Sequence, residues 1–282
     1  MRWQEGRGSG NIEDRRGGGI GGVAGGVSGV GIVLALIGYF VFGDPTALQG
    51  LQQSAPPAQK GEVGAPADDE GKFVDQILGS TEDVWQQQFA ARGEHYTPPQ
   101  TVLYTEATST GCGLGQSAMG PFYCPQDRKV YIDLSFFQEL GIRFGAPGDF
   151  ARAYVIAHEV GHHVQTLLGT SDEVNDARRR GDPREANRLS VRMELQADCY
   201  AGVWASKAEA MRKWLEPGDI DEGLAAASAV GDDTLQKQTQ GRVAPDSFTH
   251  GTSEQRTRWF HRGMEGASID SCDTFSGRYA DL

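Results

Sequence analysis

The sequence predicts an α+β fold, one predominantly helical domain with a small sheet, behind a single N-terminal transmembrane helix. Three features carry that expectation. Apolar side chains recur at three- and four-residue spacing through most of the chain after residue 149. Two short runs before it have the alternation of strands, and an uncharged stretch near the start exceeds the roughly 20 residues needed to span a bilayer. The 282-residue chain sets 26 lysines and arginines against 38 aspartates and glutamates, a net charge of −12. That balance argues against nucleic acid as a partner, because phosphate recognition needs basic surface.

Taken in order, residues 17–43 hold no charge, and their apolar character peaks over 32–42. Arg2, Arg7, Arg15 and Arg16 precede the run and Asp44 follows it. By the positive-inside rule, residues 1–17 are a cytoplasmic tail, 18–43 a signal anchor, and all that follows is extracytoplasmic, in the periplasm or at the cell surface. The run is longer than the apolar region of a cleaved signal peptide, which favours its retention. Gly18, Gly22 and Gly26 have the small-xxx-small spacing of packed membrane helices, but in so glycine-rich a run the match leaves homo-oligomerisation open. Residues 44–70, with Pro45, Pro56, Pro57 and Pro66 and few large apolar side chains, read as a flexible linker.

The domain proper then occupies 71–282. Phe73, Val74, Ile77, Leu78, Val84, Trp85 and Phe89 recur at helical spacing, with a capping-box pattern at 80–83 dividing two helical pieces. Strands are expected at 101–105 and 130–134, the second a candidate sheet edge on which an extended peptide could add as a further strand. Amphipathic helices are expected near 149–168, 184–215, 219–230 and 253–264, with Trp204 and Trp214 as core. Cys112, Cys124, Cys199 and Cys272 all follow the apolar run, and an even count outside the cytosol reads as two disulfides. Three connectivities are open. The short loop between the first two favours Cys112–Cys124, with Cys199–Cys272 left over.

The strongest chemical signal is His158-Glu159-Val160-Gly161-His162. Asp149 can cap the helix that carries it and Gly169 can end it. On such a helix His158 and His162 lie one turn apart and point the same way, so both imidazoles can reach one zinc. Glu159 is offset by one residue, off the metal but within reach of a water beside it. A catalytic zinc needs a third protein ligand and an open fourth position. Gln165 and Leu168 stand where an extended His-x-x-Gly-x-x-His motif would continue, so that ligand comes from elsewhere. Glu194 and Asp198 are one turn apart among Leu195, Ala197, Cys199 and Tyr200, which suits Glu194 as the ligand and Asp198 as the residue orienting a ligand imidazole. His163, Asp172, Glu173 and His250 are the reserves for the third ligand.

With these motifs in hand, the chain resembles the bacterial neutral zinc metallopeptidase family. The resemblance rests on the opening Met-Arg-Trp-Gln with 11–16, then Gly-Pro-Phe-Tyr-Cys-Pro at 120–125, 131–137, 158–165, 194–204 and 250–256. It spans nearly the whole chain apart from the linker. It implies a zincin-type peptidase domain with His158, His162 and Glu194 as zinc ligands.

His250 precedes Thr252-Ser-Glu-Gln255, a second capping-box pattern. From that junction it could donate to the oxygen that gains charge during peptide hydrolysis, with Tyr154 and Tyr200 as rivals. Arg178, Arg179 and Arg180 lie among acidic residues and read as a solvated loop, and Asp232 and Asp233 as loop or cap residues. The combined reading is a membrane-anchored zinc metallopeptidase acting on polypeptide, with one zinc per chain and Glu159 as general base and then acid. Two alternatives use the same residues: hydrolysis of cell-wall peptides, and a catalytically silent scaffold or chaperone-like domain stabilised by zinc.

Overall fold

The computed structural model of the chain describes residues 1–4, 6–16, 61–117, 120–142 and 145–282. The fold is α+β, with helices dominant. A five-stranded mixed sheet has the order β2-β1-β3-β7-β6, built from β1 (Ile12–Asp14), β2 (Glu62–Gly64), β3 (Gln100–Tyr104), β6 (Phe122–Cys124) and β7 (Lys129–Asp133). Strands β1, β3 and β7 run parallel, while β2 and β6 close the two edges antiparallel. Strand β3 buries Val102, Leu103 and Tyr104, and β7 buries Val130, Tyr131 and Ile132, as strands covered on both faces must. The 130–134 strand, expected as a possible edge, is therefore internal, and the edge is β6. A hairpin of β4 (Ala107–Thr110) and β5 (Gly113–Gln116) stands apart as a second sheet. It is tied to β6 by the Cys112–Cys124 disulfide.

The sequence reading separates residues 1–17 from the domain and starts the domain at 71, but 1–16 and 61–70 are built into it. Ile12 is fully buried, and β1 pairs Ile12 with Thr101 on one side and Gly64 on the other. Trp3 stands edge-on to Phe73 and donates its Nε1–H to Asp149 at 2.9 Å. Gly10 N–H donates to Asp75 at 2.8 Å. Gly79 is obligatory at this contact, because a Cβ there would lie 2.3 Å from the Arg7 carbonyl oxygen. The expected anchor at 18–43 lies outside the described residues. Among those that are described, no helix is long and apolar enough to cross a membrane.

Helix α1 (Asp69–Ala90) is capped by Asp68, whose carboxylate accepts from Gly71 N–H. It runs unbroken through the expected division at 80–83, because the polar groups there find other partners. Thr81 donates back to the Leu78 carbonyl, Ser80 accepts from the Trp204 indole, and Glu82 accepts from Ser9. Helix α2 (Ser135–Ile142) follows β7. Helix α3 (Asp149–Leu167) is central, touching β6 and β7 together with α1, α5 and α6. Its N-cap is Gly148 rather than Asp149, whose carboxylate is engaged by Trp3.

Helix α4 (Thr170–Arg180) occupies what was expected as a loop, with Arg179 and Arg180 paired to Asp176 in its last turn. Helix α5 (Pro183–Arg212) starts at Asp182, which accepts from Glu185 N–H, with Pro183 in the first turn. Helices α6 (Asp219–Ala229), α7 (Asp232–Gln240) and α8 (Ser253–Gly266) complete the domain. The capping box expected for α8 forms, with both reciprocal bonds between Thr252 and Gln255. Helices α5 and α8 meet through small residues, since a Cβ on Gly263 would lie 1.9 Å from the Cys199 carbonyl oxygen. Cys199 bonds to Cys272, fastening α5 to the C-terminal turn.

Candidate metal centre

Helical periodicity brings His158 and His162 onto one face of α3, their rings 4.8 Å apart, and α5 lays Glu194 across them. Glu194 Oε2 is 3.2 Å from His158 Nε2 and Oε1 is 3.5 Å from His162 Nε2. One ligand atom from each residue falls within 4.8 Å of the others. Each imidazole uses its other nitrogen elsewhere: His158 Nδ1 faces Asp198 at 2.8 Å and His162 Nδ1 faces Gln165 Oε1 at 2.9 Å. With a metal bound, both Nδ1 atoms would carry the proton and both Nε2 lone pairs would be free to ligate it beside Glu194. Two nitrogen donors and one oxygen fit zinc with a fourth position open. The electrostatics agree. Burial opposes charge on His158, yet Asp198 and Glu194 raise it to about 10, so the pocket favours a cation at this point. Burial would likewise raise Glu194, yet the imidazoles of His162 and His158 hold its carboxyl well below the usual range.

Behind the three ligating side chains lies a buried charged layer that sequence reasoning found only in part. Asp198 is wholly inaccessible. Arg256 grips both of its oxygens, Nε to Oδ2 and Nη2 to Oδ1, each at 2.9 Å. Tyr154 donates its hydroxyl to Asp198 Oδ1 and accepts from Arg256 Nη2 at 3.2 Å. Arg256 falls in the 250–256 motif, whose local pattern assigns it no task. The usable signal was its phase: it shares the apolar stripe of α8 with Trp259, Phe260 and Gly263, where a charge must have a partner.

Glu159 is buried beside the cluster, and burial raises its pKa, with the two imidazoles pulling the other way. Tyr123, on edge strand β6, lines the same cavity as Glu159. His250 sits half-exposed on the loop before α8. Asp232, at the start of α7, holds that loop through Thr249 N–H at 2.7 Å, His250 N–H at 2.6 Å and Gly251 N–H at 3.1 Å, and faces His250 Nδ1 at 3.1 Å.

Three of the reserve ligands, His163, Asp172 and Glu173, lie elsewhere. His163 turns away, with Nε2 on the Thr97 carbonyl at 2.7 Å and Nδ1 on the Tyr123 hydroxyl at 3.1 Å, and burial lowers it to about 4. Asp172 and Glu173 are exposed on α4, and Tyr200 packs edge-on against Trp85. A cavity of about 550 Å³ opens beside the cluster, with Phe122, Phe136, Val155, Val230 and Leu235 among its walls. A second, of about 310 Å³, adjoins it across His162, Glu194 and His250.

A mixed sheet, a central helix with His-Glu-x-x-His facing the sheet edge, and a glutamate from the next long helix define the metal centre of a zinc-peptidase-type domain. The chain belongs to the family described as "Putative neutral zinc metallopeptidase", whose model matches residues 1–275. It is 51% identical over 284 residues to the Escherichia coli K12 protein "Uncharacterized protein YpfJ", covering 98% of this chain and 99% of that protein. It is 47% identical over 197 residues to the Mycobacterium tuberculosis H37Rv protein "Uncharacterized protein Rv2575", covering 66% of this chain and 65% of that one. No solved structure matches the chain.

Proposed function

We propose that the chain is a zinc-dependent peptidase with one zinc per chain, held by His158, His162 and Glu194. The observation that carries this reading is the convergence of those three side chains with both Nδ1 atoms already engaged. Zinc bound there supplies Lewis-acid polarisation of a peptide carbonyl and of a water. Glu159 takes the proton of the attacking water and returns it to the departing amine. Its raised pKa suits both halves of that task, because a more basic carboxylate accepts readily and its acid is still able to give. His250, steadied by Asp232, donates to the oxygen that gains charge. Strand β6 offers its edge to an extended substrate, along the cavity that Glu159 also lines.

The test uses the full chain, with metal content and cleavage of an unfolded protein measured for wild type, Glu159→Gln and Glu194→Ala. One zinc per chain is expected, with hydrolysis lost but zinc kept in the first variant and zinc loosened in the second. Stoichiometric zinc without hydrolysis of any peptide would leave a scaffold, and absence of zinc would overturn the reading.

We further propose an extracytoplasmic location, which the two disulfides support. Residues 1–16 would share that compartment, since β1 is a strand of the domain's own sheet. The two flanks of the apolar run, which pair at Asp14 and Glu62, would then lie on one side of a membrane. Tags at both ends of the chain should be equally open to protease added outside intact cells, and protection of one tag alone would refute this.

A further inference from the structure

The smaller cavity departs in charge from the larger one. Its wall includes one face of α4, where Ser171, Val174, Asn175 and Arg178 follow at helical spacing. That phase places the exposed Arg178 on the wall of the cavity that His162 and Glu194 also line, while Arg179 and Arg180 pair with Asp176. Among the described residues Arg178 has no ion pair, although its chain neighbours do. The only carboxylate lining this cavity is Glu194, which a bound cation would neutralise. What remains is a recess with one permanent positive charge, adjoining the larger, more apolar cavity across His162, Glu194 and His250.

Resting on the peptidase reading above, we propose that Arg178 selects peptides that present a carboxylate on its side of the scissile bond, opposite a bulky apolar residue. Since Arg178 shares one recess with His162 and Glu194, that carboxylate belongs close to the cleaved bond along the chain. It is either an acidic side chain or the peptide's own C-terminus. The shared chemistry is a planar anion that a guanidinium receives through two parallel hydrogen bonds. Lysine supplies the charge without that fork.

The experiment uses zinc-loaded full chain carrying Glu159→Gln, so that binding is read without turnover. Fluorescent peptides with a central Phe carry either Glu or Gln within two residues on one side, each with a free or an amidated C-terminus. Binding is compared with and without Arg178→Glu or Arg178→Lys. The preference for Glu over Gln, or for free over amidated ends, should fall about tenfold with Arg178→Glu, as for reversal of an exposed charge contact. Arg178→Lys should keep part of it, and raising salt should erode it. The pair of peptides that responds identifies the source of the carboxylate. A preference unchanged by Arg178→Glu, or the absence of any preference or any binding, overturns the proposal. Failure of the peptidase reading shows separately, as absence of hydrolysis by the wild-type chain with the Arg178-dependent preference intact.

Discussion

Replacing Arg256 with methionine removes the guanidinium and keeps most of the volume. Asp198 is then left with Tyr154 and His158 as partners and without the guanidinium that grips both its oxygens, in a position with no access to water. Two hydrogen bonds of 2.9 Å vanish, both to an ionised acceptor. Breaking a buried ion pair from one side costs about 3–5 kcal/mol, since the remaining charge stays desolvated. For a domain of this size, about 2–4 °C per kcal/mol translates that into a fall in melting temperature of roughly 6–20 °C. The same change loosens the residue that orients His158, so zinc affinity should drop by about 10–100-fold. Thermal unfolding of the metal-free chain and competition with a chromophoric chelator read the two effects apart. Removing both charges, with Arg256→Met and Asp198→Leu, should restore stability relative to the single change while zinc affinity stays low. A single variant within about 1 kcal/mol of wild type, with zinc affinity intact, would refute the argument that this pair supports the metal centre.

Asp232→Ala removes the acceptor of three backbone N–H groups of the 249–251 loop and the partner of His250 Nδ1, so turnover should fall with little change in zinc content, and steady-state kinetics with metal analysis check it. Burial alone would raise the Glu13 carboxyl, but Arg15 and Lys129 bring it down to about 2 from an unfolded value of 4.5. Its contribution is thus complete above pH 4.5 and lost as pH falls towards 2. Glu13→Gln should flatten acid unfolding across that window, and an unchanged profile would deny β1 its place in the sheet. The Cys199–Cys272 bridge closes a separation of 73 residues and Cys112–Cys124 one of 12, so removing the first should cost about 4 kcal/mol and the second about 3 kcal/mol by chain entropy. Paired Cys→Ala variants followed by denaturant unfolding test the order.

The parts of this molecule that could be read from sequence are those whose meaning lies within one or two turns of chain. His158, Glu159 and His162 are legible because a period of 3.6 residues fixes which of them share a face. Glu194 and Asp198 are legible because an acidic pair amid Leu195, Ala197 and Cys199 cannot be surface. Arg256 needed knowledge of which helix faces which, and α4 was missed because Arg178, Arg179 and Arg180 suggested solvent rather than a helix end, where cations are favoured. The edge strand was misjudged because alternation within 130–134 says that a strand exists and not which neighbours it has.

Segment 1–16 shows most clearly how a local reading goes astray. Arg7, Arg15 and Arg16 look like free positive charge flanking an apolar run, the pattern from which membrane orientation is inferred. In the fold none of the three is free. Arg7 pairs with Glu82 and Asp83, Arg15 with Glu13, and Arg16 with Asp14 and Asp68. All five of those carboxylates are within two residues of an arginine or belong to α1 and its cap, so the charges are internal to the domain's edge. A three-residue strand offers too little alternation to be recognised, and its partner β3 lies some ninety residues on. The arginines therefore hold β1 in the sheet, and once that is seen they no longer report which side of a membrane the chain begins on.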